Sequence, residues 1–459
     1  MIPVVDSEPD VLSEAAVRGL YWPQGMAVYV RGLKEFGFTD HDHLLNSTLL
    51  HEYVHHLQFC ATPAGLCYFA SLESMTGLFV TLVRAIKRDS GGRRLPRRMD
   101  IGKYLENGTM ECTTGPLVFE RQWQAHWLGW PLKASVKACP PISLLYDDGS
   151  TSCLPVGLLL LAENQARIIQ RHYLIANLGA SGGSQTFDEI RIGNERESEQ
   201  SFKARYARYC SAADGFVQNL AAGDWIGDSV FLWMCHKSYM PPLQVYFGDQ
   251  EEAAAYGQSL IARGDATELA PGRRYRALAD LLLKSDAKKD VIRLAEEDRF
   301  AEIDNLVSCR LGWNNNEDVV SLMEAQANVI KSPFVKLVWQ TAIRCHRKWP
   351  LFLTNPVPNM HLLWRGFPSV AWLHADGWLA ISDWCMDHVE ELADRSIIGA
   401  LCDAVLSGQK MRCRYHGCEN CRGRKTDVVG LSIGAKDCTI EARLRRYGLS
   451  LQDFETHRA

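Results

Sequence analysis

The chain has 459 residues, of which 47% are hydrophobic and 23% are charged, and its formal net charge is −4 at pH 7. This composition excludes an intrinsically disordered protein, because it supplies enough apolar side chains for a sizeable core. The small net charge gives no general electrostatic basis for binding nucleic acid or an anionic membrane.

The N-terminal sequence lacks a basic segment followed by an apolar one, so no secretory signal is expected. The most apolar short stretch, residues 155–162, is far below the ~20 residues needed to cross a bilayer, and no membrane partner is expected. The 15 cysteines are scattered through a long chain. We therefore expect most of them to be reduced and the protein to be cytoplasmic.

Predicted elements alternate with clear breaks along the chain. Residues 25–32 have the β-branched and aromatic content of a strand. Helices are predicted from about 42 to 60, 67 to 86 and 157 to 177, with a loop at 90–98 and a glycine- and serine-rich break at 179–184. Long amphipathic stretches within 272–308 and 317–330 are separated by residues 313–316. These elements predict an α+β, predominantly helical protein with a catalytic domain at 1–255 and a mainly helical region at 256–459.

The segment His51-Glu52-Tyr53-Val54-His55 is an HExxH motif inside the first predicted helix. Side chains four residues apart on a helix project from the same face, so both imidazoles can reach one metal ion, which we expect to be zinc. Glu52 is about 100° around the helix from His51. It can therefore act as a general base on a metal-bound water.

The nine residues from Leu50 to Gln58 resemble the active-site helix of zincin metallopeptidases. The resemblance implies a zincin-like catalytic domain that hydrolyses peptide bonds by Glu-assisted attack of a zinc-bound water. The resemblance covers only this helix and the later helix that would supply a third metal ligand. The longer metzincin signature is absent, since Gln58 and Ala61 stand at its glycine and histidine positions. In the gluzincin branch a glutamate on a later helix is the third ligand, so the resemblance implies such a glutamate here.

Two glutamates compete for this role. Glu73 follows His55 after 17 intervening residues, a spacing close to that of thermolysin-like gluzincins, but its neighbours do not reproduce their ExxxD pattern. Glu163 lies in a segment that resembles the ExxA segment of gluzincin-like proteins with a long insertion. Ala162 and Ala166 beside it would let this helix approach the metal helix closely. We favour Glu163, with Glu73 as the alternative.

Further polar side chains near these motifs are candidates for stabilising a transition state or for binding the metal. Any of three residues that follow Glu163 on its predicted helix could stabilise a transition state: Arg167, His172 and Tyr173. Arg167 is one turn from Glu163 and can instead pair with it. His56 points away from the face shared by His51 and His55, so it is not expected to be a ligand.

The C-terminal region contains a cysteine-rich cluster at 402–438. A second, structural zinc ion is expected there, with the ligands Cys413, Cys418, Cys421 and Cys438 and with His416 and Cys402 nearby. The spacing also matches the start of a plant-type ferredoxin ligand set, although Cys438 comes too soon for it. Unligated reduced cysteines are the remaining alternative. The cluster is basic, but it does not form the aromatic-interleaved patch that is typical of a nucleic-acid site.

Taken together, these motifs predict an intracellular zinc metallopeptidase that acts on a protein or peptide substrate. A protein substrate is favoured, because the long helical remainder is more than a simple peptidase needs. The alternative is a non-catalytic, zinc-stabilised scaffold that recognises a protein or nucleic-acid partner through its C-terminal region. The two differ in one respect: a catalytic zinc keeps a position for water, whereas a structural zinc is closed by a fourth protein ligand.

Overall fold

The protein is predominantly helical in this computed structural model, as the sequence predicted. The structure describes residues 19–22, 26–30, 32, 42–89, 141–145, 151–155, 157–196, 224–241, 270–328, 330, 333–354, 371–373, 379–380, 398, 401, 439–450 and 453. No helix within these ranges is both long and apolar enough to cross a membrane.

Short strands form a sheet beside the first helix. Strand β1 (Gly19–Trp22) pairs antiparallel with β2 (Ala27–Val30), which lies within the predicted strand at 25–32. Strand β2 pairs in parallel with β5 (Ala371–Leu373), and β5 pairs antiparallel with β6 (Leu379–Ala380). A separate hairpin joins β3 (Pro141–Leu145) to β4 (Thr151–Pro155). Strand β1 was not predicted, because four residues are too few for a clear alternating pattern.

Helix α1 (His43–Cys60) matches the predicted helix at 42–60 and lies at the centre of the fold. Asp42 caps its start by accepting a hydrogen bond from the Leu45 backbone N–H at 2.8 Å. Every residue from Asn46 to Cys60 is buried, because three further helices (Pro63–Asp89, Leu158–Arg196 and Pro333–Lys348) and strands β1 and β2 pack around it. A helix enclosed on all sides can hold polar groups away from water, provided that other elements supply partners for them.

Helix α2 (Pro63–Asp89) follows α1 after a two-residue link. Gly65 is required at this junction, since a Cβ there would lie 2.1 Å from the backbone oxygen of Gln58. Helix α3 (Leu158–Arg196) runs opposite to α1: Gln58 near the end of α1 meets Ala162, whereas Ser47 near its start meets Gln170. The predicted break at 179–184 is confirmed at its first residue: Gly179, with φ 75° and ψ 165°, is non-helical and separates the two helical parts of α3, but the residues directly after it are helical again.

The remaining helices surround this pair. Helix α4 (Asp224–Ser238) packs on α3, and α5 (Pro271–Lys284) and α6 (Ala287–Glu296) pack on α4. Helices α7 (Phe300–Leu311), α8 (Asn316–Ala327) and α9 (Pro333–Lys348) follow, and α10 (Thr439–Arg446) lies near the C-terminus. The predicted separation at 313–316 is confirmed: Gly312 ends α7 in the left-handed conformation, and Asn315 caps α8.

One cluster of buried hydrophobic side chains contains residues from both predicted domains, such as Leu50 and Trp233 before position 255 and Val291 and Trp339 after it. A buried ion pair also joins the two predicted domains: Lys237 Nζ in α4 lies 2.7 Å from Asp304 Oδ1 in α7. The predicted boundary falls among residues 242–269, outside the described residues. The division at residue 255 therefore stays a prediction.

Candidate metal centre

The two histidines of the motif lie one turn apart on α1, as helical spacing requires. Their Nε2 atoms are 3.2 Å from each other. Both side chains are enclosed, with His51 8% and His55 2% exposed. The hydrophobic residues Leu49, Leu50, Val54 and Leu57 occupy the other sides of the helix and are fully buried. Their burial fixes the rotation of α1, and this rotation aims both imidazoles at α3.

Glu163 on α3 completes the cluster. Its Oε1 is 3.2 Å from His55 Nε2, and its Oε2 is 3.4 Å from His51 Nε2. Among the described residues, these three form the one group of histidine, cysteine or carboxylate side chains whose ligand atoms all lie within 4.8 Å of one another. The structure thus brings together the three residues that the sequence suggested as ligands.

Small residues allow this close approach between α1 and α3. Ala162 and Ala166, on either side of Glu163, are 1% and 0% exposed. The amide of Gln58 donates a hydrogen bond directly to the backbone oxygen of Ala162 at 3.1 Å. A larger side chain at either alanine would push the helices apart and carry Glu163 away from the histidines.

The electrostatics of the cluster favour an ionised Glu163 carboxylate beside a neutral His51. Burial alone would raise the pKa of Glu163, but the adjacent imidazoles of His55 and His51 outweigh it and hold the pKa well below its usual value. Burial lowers the pKa of His51, although the adjacent Glu163 carboxylate opposes this. A neutral imidazole and an ionised carboxylate are the forms in which these side chains bind metals.

Two further observations agree with a zinc ion bound by these groups. Bond lengths of about 2.0–2.1 Å in a tetrahedral site place neighbouring ligand atoms about 3.3 Å apart, close to the 3.2–3.4 Å found between these nitrogen and carboxylate atoms. Glu163 Oε2 is buried, and no described group hydrogen-bonds to it. A buried carboxylate oxygen without a donor is costly, and a cation in the cluster would remove that cost.

Glu52, the predicted general base, lies beside the cluster and is 5% exposed. Its Oε2 is buried without a hydrogen-bond partner in the described part of the chain. Gly19 of strand β1 packs against this side chain so closely that a Cβ there would lie 2.6 Å from Glu52 Oε1. Strand β1 therefore limits the space open to the Glu52 side chain.

The candidate transition-state stabilisers lie at different distances along α3. Arg167 is one turn beyond Glu163. His172 and Tyr173 are nine and ten residues beyond it, which corresponds to roughly 14 Å along the helix axis. The Nε2 of His172 is also 2.9 Å from Asp228 Oδ2 on α4. Position therefore favours Arg167 over the other two, and a role for any of them stays a prediction.

The other candidate residues lie either on another side of α1 or outside the described residues. His56 is fully buried, and its Nδ1 lies 3.3 Å from the hydroxyl of Tyr21, on the side of α1 that faces the sheet. Glu73 lies in α2, but its side chain is outside the described residues. The whole cysteine cluster at 402–438, with Cys413, Cys418 and Cys421, is also outside them. The predicted second zinc site therefore stays a prediction.

Sequence reasoning missed two contributors to the site. Gln58 accepts a hydrogen bond from His55 Nδ1 at 2.8 Å, and its amide bonds in turn to Gln165 on α3 at 2.8 Å. A signal for Gln58 was available, because a polar residue three positions after a ligand shares its helix face. Gly19 carried no signal, since its closeness to Glu52 depends on how β1 packs against α1.

Comparisons of the chain with models of known families, with curated proteins and with solved structures found no match. Any assignment of function therefore depends on the geometry of the cluster and on the motif that supplies it.

Proposed function

We propose that this protein is a zinc-dependent metallopeptidase in which His51, His55 and Glu163 hold the ion and Glu52 is the general base. The observation that carries the proposal is the convergence of the HExxH histidines with a carboxylate from a separate helix. A zincin-like arrangement of residues 1–255 belongs to the same proposal. It is supported by the position of α1 between the sheet and an antiparallel helix that bears the glutamate.

Each side chain has a distinct task in this proposal. Zinc, when bound, would supply Lewis acidity that lowers the pKa of a coordinated water to about 7. Glu52 accepts the proton that the attacking water loses and passes it to the leaving amine nitrogen. Its carboxylate suits this task because Oε2 is buried and uses no described hydrogen-bond donor. Arg167 is the favoured candidate for contacting the developing oxyanion.

A catalytic site is favoured over the structural zinc of a scaffold protein. A structural zinc site is closed by four protein ligands, whereas three of the described side chains offer ligand atoms here. The carboxylate of Glu52 next to the cluster is also better explained by proton transfer than by metal binding. A protein substrate remains the preferred class, with residues 256–459 as the region that would select it.

The test compares wild-type protein with Glu52→Gln in a zinc-dependent proteomic cleavage screen, with metal content measured on both samples. We expect Glu52→Gln to keep one equivalent of zinc in the cluster and to lose at least ~10²-fold in hydrolysis, the usual scale of a general-base contribution. Glu317→Gln, at a side chain that is 81% exposed, is the control that removes the same charge on the surface. Undiminished cleavage by Glu52→Gln would exclude the proposed base. A wild-type protein that does not bind zinc would exclude the whole site.

A further inference from the structure

A chain of buried side-chain amides connects His55 to backbone carbonyls in distant parts of the fold. It begins at Gln165 on α3, whose Nε2 donates to the backbone oxygens of Leu232 at 3.0 Å and Leu353 at 3.2 Å. A backbone carbonyl can only accept a hydrogen bond. The nitrogen of the Gln165 amide must therefore face these two carbonyls, and its oxygen must face the other way.

The same reasoning applies to Gln58, the next member of the chain. Its Nε2 donates to Gln165 Oε1 at 2.8 Å and to the backbone oxygen of Ala162 at 3.1 Å, and both of these atoms are acceptors. The oxygen of Gln58 is therefore left to face His55 Nδ1, which is 2.8 Å away. Since this oxygen cannot donate, Nδ1 must carry the hydrogen.

This direction of bonding decides which nitrogen of His55 is available to a metal. A neutral imidazole with its hydrogen on Nδ1 has a lone pair on Nε2. That is the nitrogen that lies 3.2 Å from both His51 Nε2 and Glu163 Oε1. We propose that Gln58 and Gln165 are positioning residues that hold His55 in its metal-binding tautomer before any ion arrives. This proposal rests on the proposed zinc site.

Burial makes the amide chain a strong constraint. Gln58 and Gln165 are both fully buried. Rotating the Gln58 amide by 180° would place its oxygen against two acceptors and break both of its donor bonds, with no water to replace them. The neighbouring ligand provides a contrast, because His51 Nδ1 is buried without a hydrogen-bond partner among the described residues. The two histidines of the motif are thus held differently, because among the described residues only His55 has a hydrogen-bond partner at Nδ1.

The chain of amides also joins parts of the protein that are distant in sequence. Leu232 is in α4, and Leu353 lies in the turn after α9. The carbonyl of Leu353 belongs to the region predicted to recognise the substrate. A shift of this turn would remove one of the two acceptors that orient Gln165, and through Gln58 it would loosen His55.

The experiment reads the tautomer directly, by ¹⁵N NMR of the full chain labelled on histidine and freed of metal. The His55 signal is assigned as the one lost in His55→Asn. We expect wild-type His55 to carry its hydrogen on Nδ1 only, whereas His51, whose Nε2 faces the Glu163 carboxylate and whose Nδ1 has no described partner, should carry its hydrogen on Nε2. A wild-type His55 with its hydrogen on Nε2 would overturn the proposal. This measurement does not depend on whether variants of Gln58 or Gln165 fold.

Variants then test the amides, with circular dichroism used to confirm folding. Gln58→Met removes the acceptor, so we expect mixed tautomers at His55 and zinc affinity weaker by about 10- to 100-fold, the range for residues that orient a metal ligand. Gln165→Met should act in the same direction but less strongly, because Gln58 keeps its bond to Ala162.

Gln170→Met is the matched control, since Gln170 is also a buried glutamine on α3 but bonds to Ser47 Oγ at 3.2 Å instead of to the amide chain. It should change neither the tautomer nor the zinc affinity. If Gln58→Met leaves both quantities unchanged in a protein that binds zinc, the positioning role is excluded and the metallopeptidase proposal stands. If His55 has the expected tautomer but wild-type protein does not bind zinc, the orienting role of the amide chain stands and the proposed function fails.

Discussion

Gly19 in strand β1 is in direct contact with the side chain of Glu52 in α1. A Cβ at position 19 would lie 2.6 Å from Glu52 Oε1 and 2.7 Å from its Cγ. Both distances are shorter than van der Waals contact, so glycine is the residue that lets the edge of the sheet approach the proposed base this closely. The conformation of Glu52 therefore depends on a residue 33 positions earlier in the chain.

Gly19→Ala should displace Glu52 without disturbing the metal ligands, because the three atoms nearest to the added methyl group belong to Glu52 and Thr48. We expect turnover to fall by about 10- to 100-fold, since small misplacements of a catalytic group have effects of this size. Zinc content should stay at the wild-type value. Gly182→Ala is the control, as a Cβ there meets nothing closer than 3.6 Å. Turnover that is equally unaffected in both variants would contradict a base held by β1.

Removal of Glu163 should abolish zinc binding and activity together. Glu163→Gln takes away a charged ligand whose oxygens lie 3.2–3.4 Å from the histidine nitrogens. This outcome differs from that of Glu52→Gln, which should lose activity alone. Glu73→Gln removes the other candidate ligand and should leave both quantities nearly intact. Zinc titration of the three variants decides between the two glutamates, and loss of zinc in Glu73→Gln but not in Glu163→Gln would reverse the assignment.

His346 should make the stability of the fold depend on pH. It is buried in α9 and donates from Nε2 to the backbone oxygen of Ala61 at 2.6 Å. Burial lowers the pKa of His346 to about 4, although the bond to Ala61 opposes this shift. Because an unfolded histidine has a pKa of about 6.5, the unfolded state takes up a proton first as the pH falls. The contribution of this group is therefore complete above about pH 6.5 and is lost progressively down to pH 4.

The corresponding measurement is urea unfolding at pH 7 and pH 4.5 of wild-type protein and His346→Gln. We expect this group to reduce the free energy of unfolding of wild type by about 2–3 kcal/mol between these pH values. Glutamine can keep the bond to Ala61 but does not titrate, so the loss should be smaller in the variant by that amount. Both proteins are measured without metal, because ligand protonation would otherwise add to the pH dependence. An identical pH dependence in the two proteins would exclude this role for His346.

The cysteine cluster predicts a second metal ion. If Cys413, Cys418 and Cys421 share an ion, purified protein should contain more than one equivalent of zinc, and Cys418→Ser should remove only one. Elemental analysis of both proteins measures this directly. A single equivalent that survives Cys418→Ser would identify these cysteines as unligated thiols.

Local periodicity accounts for what could be predicted of the fold. The helix at 43–60 and the separation of α7 from α8 were predicted closely, because helix caps and apolar spacing act over a few residues. Strand β1 was missed. The predicted break at Gly179 is confirmed, because glycine adopts the non-helical conformation found there, but the second helical part directly after it was not predicted. Such outcomes depend on contacts with other elements.

The amino-acid sequence by itself determined that His51 and His55 share one face of a helix with Glu52 beside them, since a separation of four residues is close to one helical turn. It left open whether Glu73 or Glu163 would meet them. The tertiary structure brought Glu163 to the two histidines, because Ala162 and Ala166 allow α3 to pack tightly on α1. Likewise, only packing could bring Gly19 to Glu52 and Gln165 to Gln58. These pairs are far apart in the chain, and no local periodicity relates their positions.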